Sequence, residues 1–114
     1  MFRIGVTGTG SLVGQAIIKS ILKSSIASEI EIIGFDYFDE TVGSYWTSKN
    51  FILPDVLSEK TTIKQWLDEI IYQLQKNEID IVFIGVDFEL ELFSKHKDDI
   101  ERQTGTIIIV SNND

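Results

Sequence analysis

Residues 8–14 read Gly-Thr-Gly-Ser-Leu-Val-Gly and follow directly on an apolar run, Phe2 to Thr7. Glycines at 8 and 10 permit a tight turn, with positive φ where needed, and let the backbone come close to a ligand. A helix beginning at once would direct its unpaired N–H groups and the positive end of its dipole to the same place. Strand, turn and helix N-terminus together make an anion pocket for phosphate or carboxylate, lined by Gly8, Thr9, Gly10 and Ser11. The dinucleotide fingerprint Gly-x-Gly-x-x-Gly is met imperfectly: its third position is Val13, and the glycine falls one later, at Gly14. The bland account of these glycines is a tight βα turn and close helix packing with no ligand.

Three acidic residues stand where such a pocket could use them. Asp36 ends an apolar run, Ile30 to Asp36, about twenty residues after the first helix begins, where a Rossmann-type unit places the carboxylate that accepts from a ribose hydroxyl. Asp87 and Glu89 follow the run Ile79 to Ile84, a position that suits binding groups in open α/β sheets. Asp87 also suits a cap on the helix that follows. The single histidine, His96, falls on the inward or flanking side of that helix and reads as packing. There is no Gly-x-x-x-x-Gly-Lys-Ser/Thr loop, no Gly-x-Ser-x-Gly elbow and no histidine-rich metal cluster. No nucleophile, base and oxyanion site are assembled, so no catalytic residue and no metal site is assigned.

The elements that would position these groups follow from periodicity. Phe2 to Thr7 reads as a buried strand. Val13, Ile17 and Ile21, with Ala16 and Leu22 beside them, predict a helix with one apolar face, stopping near Lys23 to Ser25. Ile30 to Asp36 is a second strand, residues 39–47 suggest a short helix, and Phe51 to Leu53 a third strand ended by Pro54. Ile63, Trp66, Leu67, Ile70, Ile71 and Leu74 mark the clearest helix, opened by a capping box of Thr62 and Gln65. Ile79 to Ile84 predicts a central strand buried on both faces. A third helix runs from Phe88 or Glu89 to Arg102, with Leu92, Phe93, His96 and Ile100 inward and Gly105 beyond its end. Thr106 to Val110 is the last strand. This βαβ alternation predicts an α/β fold, a Rossmann-like three-layer sandwich with a parallel sheet of about five strands in the order 3-2-1-4-5. The ligand crevice then falls beyond the strands' carboxyl ends, between strands one and four, where Gly8 to Ser11 meets Asp87 and Glu89 with Asp36 at the flank.

The 114 residues suit one domain, 1–114, large enough for a real core. Eighteen acidic against ten basic residues give a formal charge of −8, which disfavours binding to nucleic acid or an anionic membrane. With no cysteine, disulfides, thiolate metal sites and cysteine nucleophiles are excluded. Together with the absence of a signal peptide or spanning run, this reads as a cytoplasmic chain. Tyr37, Phe38, Tyr45, Trp46 and Phe51 concentrate aromatic surface in one region, either covering a sheet edge or forming a docking face for another domain or subunit, a homodimer included.

In order and spacing, residues 6–20 (Val-Thr-Gly-Thr-Gly-Ser-Leu-Val-Gly-Gln-Ala-Ile-Ile-Lys-Ser), 49–54 (Lys-Asn-Phe-Ile-Leu-Pro) and 79–92 (Ile-Asp-Ile-Val-Phe-Ile-Gly-Val-Asp-Phe-Glu-Leu-Glu-Leu) resemble the N-terminal domain of ATP-grasp proteins similar to the large chain of carbamoyl-phosphate synthase. The likeness spans essentially the whole chain. It implies a pre-ATP-grasp, Rossmann-like domain of a carboxylate–amine or carboxylate–thiol ligase, in which ATP and Mg2+ are held mainly by the domains that follow. On that resemblance Gly8, Gly10 and Ser11 line an anion-facing loop, Asp87 and Glu89 face an interdomain cleft, and Asp36 matches the family's acidic residue on strand two. The implied partners are a small-molecule substrate and a C-terminal ATP-grasp domain, in the same polypeptide or in a second chain. The sequence stops where that domain would begin, so the chain alone is expected not to turn over ATP. Two other readings use the same residues: the NAD(P)-binding half of an oxidoreductase or epimerase, and a non-catalytic interaction module using the aromatic face around Trp46.

Overall fold

The structure, a computed structural model, describes residues 2–37, 47–54 and 59–109. Its elements are β1 (Phe2–Thr7), α1 (Leu12–Leu22), β2 (Ile30–Asp36), β3 (Lys49–Ile52), α2 (Ile63–Lys76), β4 (Ile81–Phe83), α3 (Asp87–Thr104) and β5 (Ile107–Ile109), with a 3-10 turn at Ala27–Glu29. The strands form one parallel sheet in the expected order, β3-β2-β1-β4-β5. Side chains alternate across it. Ile4 and Val6 of β1 and Ile32 of β2 pack under Ile18 of α1 on one face. On the other, Ile33, Phe35, Val82 and Ile108 meet Trp66, Ile70 and Leu74 of α2 and Phe93 and Ile100 of α3. No helix among the described residues is long and apolar enough to cross a membrane.

α2 forms where its periodicity predicts, and the capping box is present: Thr62 Oγ1 accepts from the Gln65 N–H at 3.1 Å and Gln65 Oε1 from the Thr62 N–H at 2.8 Å. Gly105 ends α3 in the left-handed conformation, φ 74°, as a glycine at that position should.

α1 differs from expectation. Its buried positions are Gly14 and Ile18, with Ile17 and Ile21 partly covered, while Val13 and Leu22 are exposed. The cause is the close approach at Gly14, described below, which rotates the helix so that the residue four positions on, Ile18, becomes its anchor. α3 begins one to two residues early: Val86 occupies the N-cap, and Asp87 is the first helical residue rather than a cap. In the last strand, the described residues Ile107–Ile109 are buried on one side only. Ile108 lies under α3, while Ile107 and Ile109, on the opposite face, are 52% and 44% exposed. Of the aromatic group, Tyr37 and Phe51 pack against the core. Phe38, Tyr45 and Trp46, and nearly all of the short helix expected at 39–47, lie outside the described residues.

Candidate functional site

The strand order reverses between β1 and β4, and their carboxyl ends meet there at very short range. Gly8 sits at φ 65°; a Cβ on it would fall 2.2 Å from Val86 Cγ2. A Cβ on Gly14 would fall 2.0 Å from the Gly8 carbonyl oxygen, and one on Gly85 2.3 Å from the Thr7 carbonyl oxygen. Gly14 therefore does the close-packing work of the fingerprint's third glycine from one position later. Ser11 fastens the junction. Its hydroxyl lies 2.7 Å from the carbonyl oxygens of both Gly8 and Gly85, which share its one proton, and accepts from the Gly14 N–H at 3.0 Å. The amides of Leu12 and Val13, ahead of the first intrahelical bond, are the loop's remaining donors at the helix N-terminus.

Asp36 is turned into this loop. Its Oδ2 accepts from the Gly10 N–H at 2.8 Å and the Thr9 hydroxyl at 3.2 Å, and its Oδ1 accepts from the Tyr37 N–H at 2.7 Å. The carboxylate is nearly fully buried. The group expected to accept from a ribose is thus engaged by the loop it was expected to flank. Room for the contact comes from Gly34, where a Cβ would fall 2.6 Å from Thr9 Cγ2 and 2.4 Å from Asn50 Oδ1.

Glu89, in the first turn of α3, is fully buried. Its Oε2 accepts from the Tyr37 hydroxyl, which in turn accepts from Trp66 Nε1 at 2.9 Å. Its Oε1 has no hydrogen-bond partner. Burial pushes the Glu89 carboxyl up to about 7; the hydroxyls of Tyr37 and Thr7 oppose that rise, and the nearby Asp36 adds to it. At neutral pH the group is divided between acid and anion, which suits it to hold or move a proton.

The fold therefore gathers Gly8, Thr9, Gly10, Ser11 and Asp36 into one bonded unit and sets Glu89 beside it through Tyr37. Asp87 is exposed at the start of α3 and makes none of these contacts. Sequence reasoning missed the parts played by Thr7, Tyr37, Trp66 and Gly85. Thr7 left a usable signal, a polar residue closing an apolar strand; its Oγ1 accepts from the Gly85 N–H at 2.9 Å and binds the β4–α3 turn to β1. Among the described residues, no cluster of His, Asp and Glu could hold a metal ion.

No known family matches the sequence, and no curated protein does. Solved structures do match, at identities that establish the fold alone. The biotin carboxylase domain of Hydrogenobacter thermophilus 2-oxoglutarate carboxylase, crystallised with MgADP, ADP and bicarbonate, superposes with TM-score 0.64 at 11% identity over 95% of this chain. The biotin carboxylase subunit of a pyruvate carboxylase gives 0.60 at 15% over 95%. In both cases the chain spans 22% of the neighbour's length. UDP-glucose 4-epimerase from Stenotrophomonas maltophila, with bound NAD, gives 0.57 at 13% identity, covering 99% of this chain and 37% of the epimerase. The chain thus has a Rossmann-like fold shared by one part of ATP-grasp carboxylases and by NAD-binding enzymes.

Proposed function

We propose that the chain is the N-terminal, substrate-side domain of an ATP-dependent carboxylate–amine or carboxylate–thiol ligase of the ATP-grasp kind, resembling the large chain of carbamoyl-phosphate synthase. The observation that carries this reading over a dinucleotide-binding one is the internal satisfaction of Asp36. A dinucleotide half needs that carboxylate free for ribose, yet here both its oxygens hold the chain's own donors. Near-complete coverage of this chain by about a fifth of each biotin carboxylase supports the same reading. An anionic substrate would approach the Gly8 to Ser11 loop and the amides of Leu12 and Val13, with Asp36 holding the loop and Asp87 and Glu89 bordering the cleft to the next domain. ATP and Mg2+ would be bound mainly by a C-terminal ATP-grasp domain, in the same polypeptide or a partner chain, so this chain alone turns over no ATP. Its setting would be cytoplasmic, which the lack of cysteine supports.

The test is a titration of the chain with NADH, followed by fluorescence, beside an immunoblot of the natural protein in its source cells. No NADH saturation at millimolar concentration, with a band larger than 12.9 kDa by one or more domains, is expected. Saturable NADH binding lost in Asp36→Ala would replace this reading with the second one, an NAD(P)-binding domain, which the likeness to the epimerase favours.

A further inference from the structure

The register of the sheet lays out two apolar rows on the side of α1. Ile32, Ile4, Ile81 and Ile107 stand abreast on β2, β1, β4 and β5, and Val6, Phe83 and Ile109 stand abreast one pleat further on. Burial fades along both rows. Ile4 and Val6 are buried with Ile18 of α1, Ile81 and Phe83 are half-buried, and Ile107 and Ile109 are the most exposed members. The sheet's other side meets both α2 and α3. A parallel sheet is ordinarily covered on both faces. Here the α1 side is left half bare at β5.

Three observations define what fits there. The outer edge of β5 is already occupied, because Glu101 Oε2 accepts the Ile108 N–H at 2.8 Å, and an incoming strand would have to displace it. The covering element therefore lies across the face, and the elements that cover parallel sheets are helices. The rim is acidic: the exposed Asp80 and Asp87 precede and follow β4, and Glu101 stands beside β5. None of the three forms an ion pair with a Lys, Arg or His among the described residues. A second copy suits this rim badly, since it would bring the same acids and another formal charge of −8. The bare part of the rows, little more than two isoleucines, also falls well short of the roughly 800 Å² a side that a stable dimer buries.

We propose that the β4–β5 face on the α1 side seats an amphipathic helix of a partner domain, its aliphatic side chains on Ile81, Phe83, Ile107 and Ile109 and its Lys or Arg flanks toward Asp80, Asp87 and Glu101. Burial of the isoleucines supplies the attraction, and the charges select the partner and its orientation. A seat this small holds a free helix weakly and a tethered one well. The inference does not rest on the ligase reading, since a dinucleotide-binding domain would leave the same face open.

The test uses the chain and a synthetic leucine–lysine helix of about five turns with one apolar face, beside the same helix carrying glutamate for lysine. Isoleucine methyl signals are followed by 13C NMR. Those of Ile81, Ile107 and Ile109 should shift saturably with the lysine helix, less so as salt rises from about 50 to 300 mM, and stay still with the glutamate helix. Ile107→Thr with Ile109→Thr keeps β-branched residues and the net charge, and should weaken binding roughly tenfold or more. Should that variant not fold, Asp80→Asn with Asp87→Asn decides: every isoleucine stays, and affinity for the lysine helix should fall about threefold or more. Unchanged affinity there, shifts confined to other isoleucines, no shifts at all, or equal binding of the two helices would overturn the proposal. So would a wild-type dimer in sedimentation velocity that the threonine variant loses, because it would put a second copy on this face.

Discussion

The peptide N–H of Gly10 donates to Asp36 Oδ2 at 2.8 Å, joining the most exposed glycine of the loop to a buried carboxylate at the end of β2. Asp36 thereby serves as an anchor for the loop. Removing it leaves three donors, Thr9 Oγ1 and the Gly10 and Tyr37 amides, without that acceptor. Asp36→Ala is expected to destabilise the chain by about 2–3 kcal/mol, since a buried donor that loses a charged partner bears its full desolvation penalty. Urea unfolding measures this; an unchanged midpoint would mean that the anchor contributes nothing.

Gly14 and Gly105 offer a paired test of why glycine stands at each place. A Cβ at Gly14 meets backbone, the Gly8 carbonyl oxygen at 2.0 Å and its carbon at 2.7 Å, which no side-chain rotation relieves. A Cβ at Gly105 meets nothing within 4 Å, and its only difficulty is φ 74°. Gly14→Ala should cost about 3 kcal/mol or more and Gly105→Ala about 1 kcal/mol. Thermal unfolding of the two variants would show the order, and equal losses would contradict the role given to Gly14.

Much of this architecture was legible in the sequence because it is local. The periodicity of Ile63 to Leu74 and the Thr62–Gln65 box need only neighbouring residues, and right-handed crossovers narrow the strand order to a few, of which 3-2-1-4-5 is the one expected. What was not legible depends on distance along the chain. The orientation of α1 is decided at Gly14 by the carbonyl of Gly8 and the turn at Gly85, so a helical wheel alone chose Val13 where the fold uses Ile18. The bond from Tyr37 to Glu89 spans 52 residues and that from Trp66 to Tyr37 spans 29. In the sequence, Trp66 is indistinguishable from any core tryptophan on an apolar stripe.

Glu89 also makes a statement about stability. Its folded carboxyl titrates near 7 against an ordinary 4.5, so the native state binds a proton that the unfolded state has released. Stability attached to this group is fully present below about pH 4.5, falls as pH rises, and is lost once pH passes 7. The shift corresponds to about 3 kcal/mol. Urea midpoints at pH 5 and pH 8 should differ more in the wild type than in Glu89→Gln, which carries no charge at either pH. Equal differences in the two proteins would assign the pH dependence to other groups.

At the far edge of the sheet, Glu101 Oε2 of α3 accepts the N–H of Ile108 at 2.8 Å. In a parallel edge strand alternate amides point away from the sheet; Ile107 donates inward to the Asp80 carbonyl at 2.9 Å, so Ile108 is the one turned outward. A donor there is an invitation to strand pairing with another chain, and the flanking Ile107 and Ile109 are partly exposed. The carboxylate fills that position from the protein's own helix. Glu101→Ala should therefore lower stability by about 1–2 kcal/mol through the lost charge-assisted bond and increase self-association as well. Sedimentation velocity over a range of concentrations separates the two effects. A variant that is less stable yet as monodisperse as the wild type would leave Glu101 a helix-to-strand tie with no part in guarding the edge.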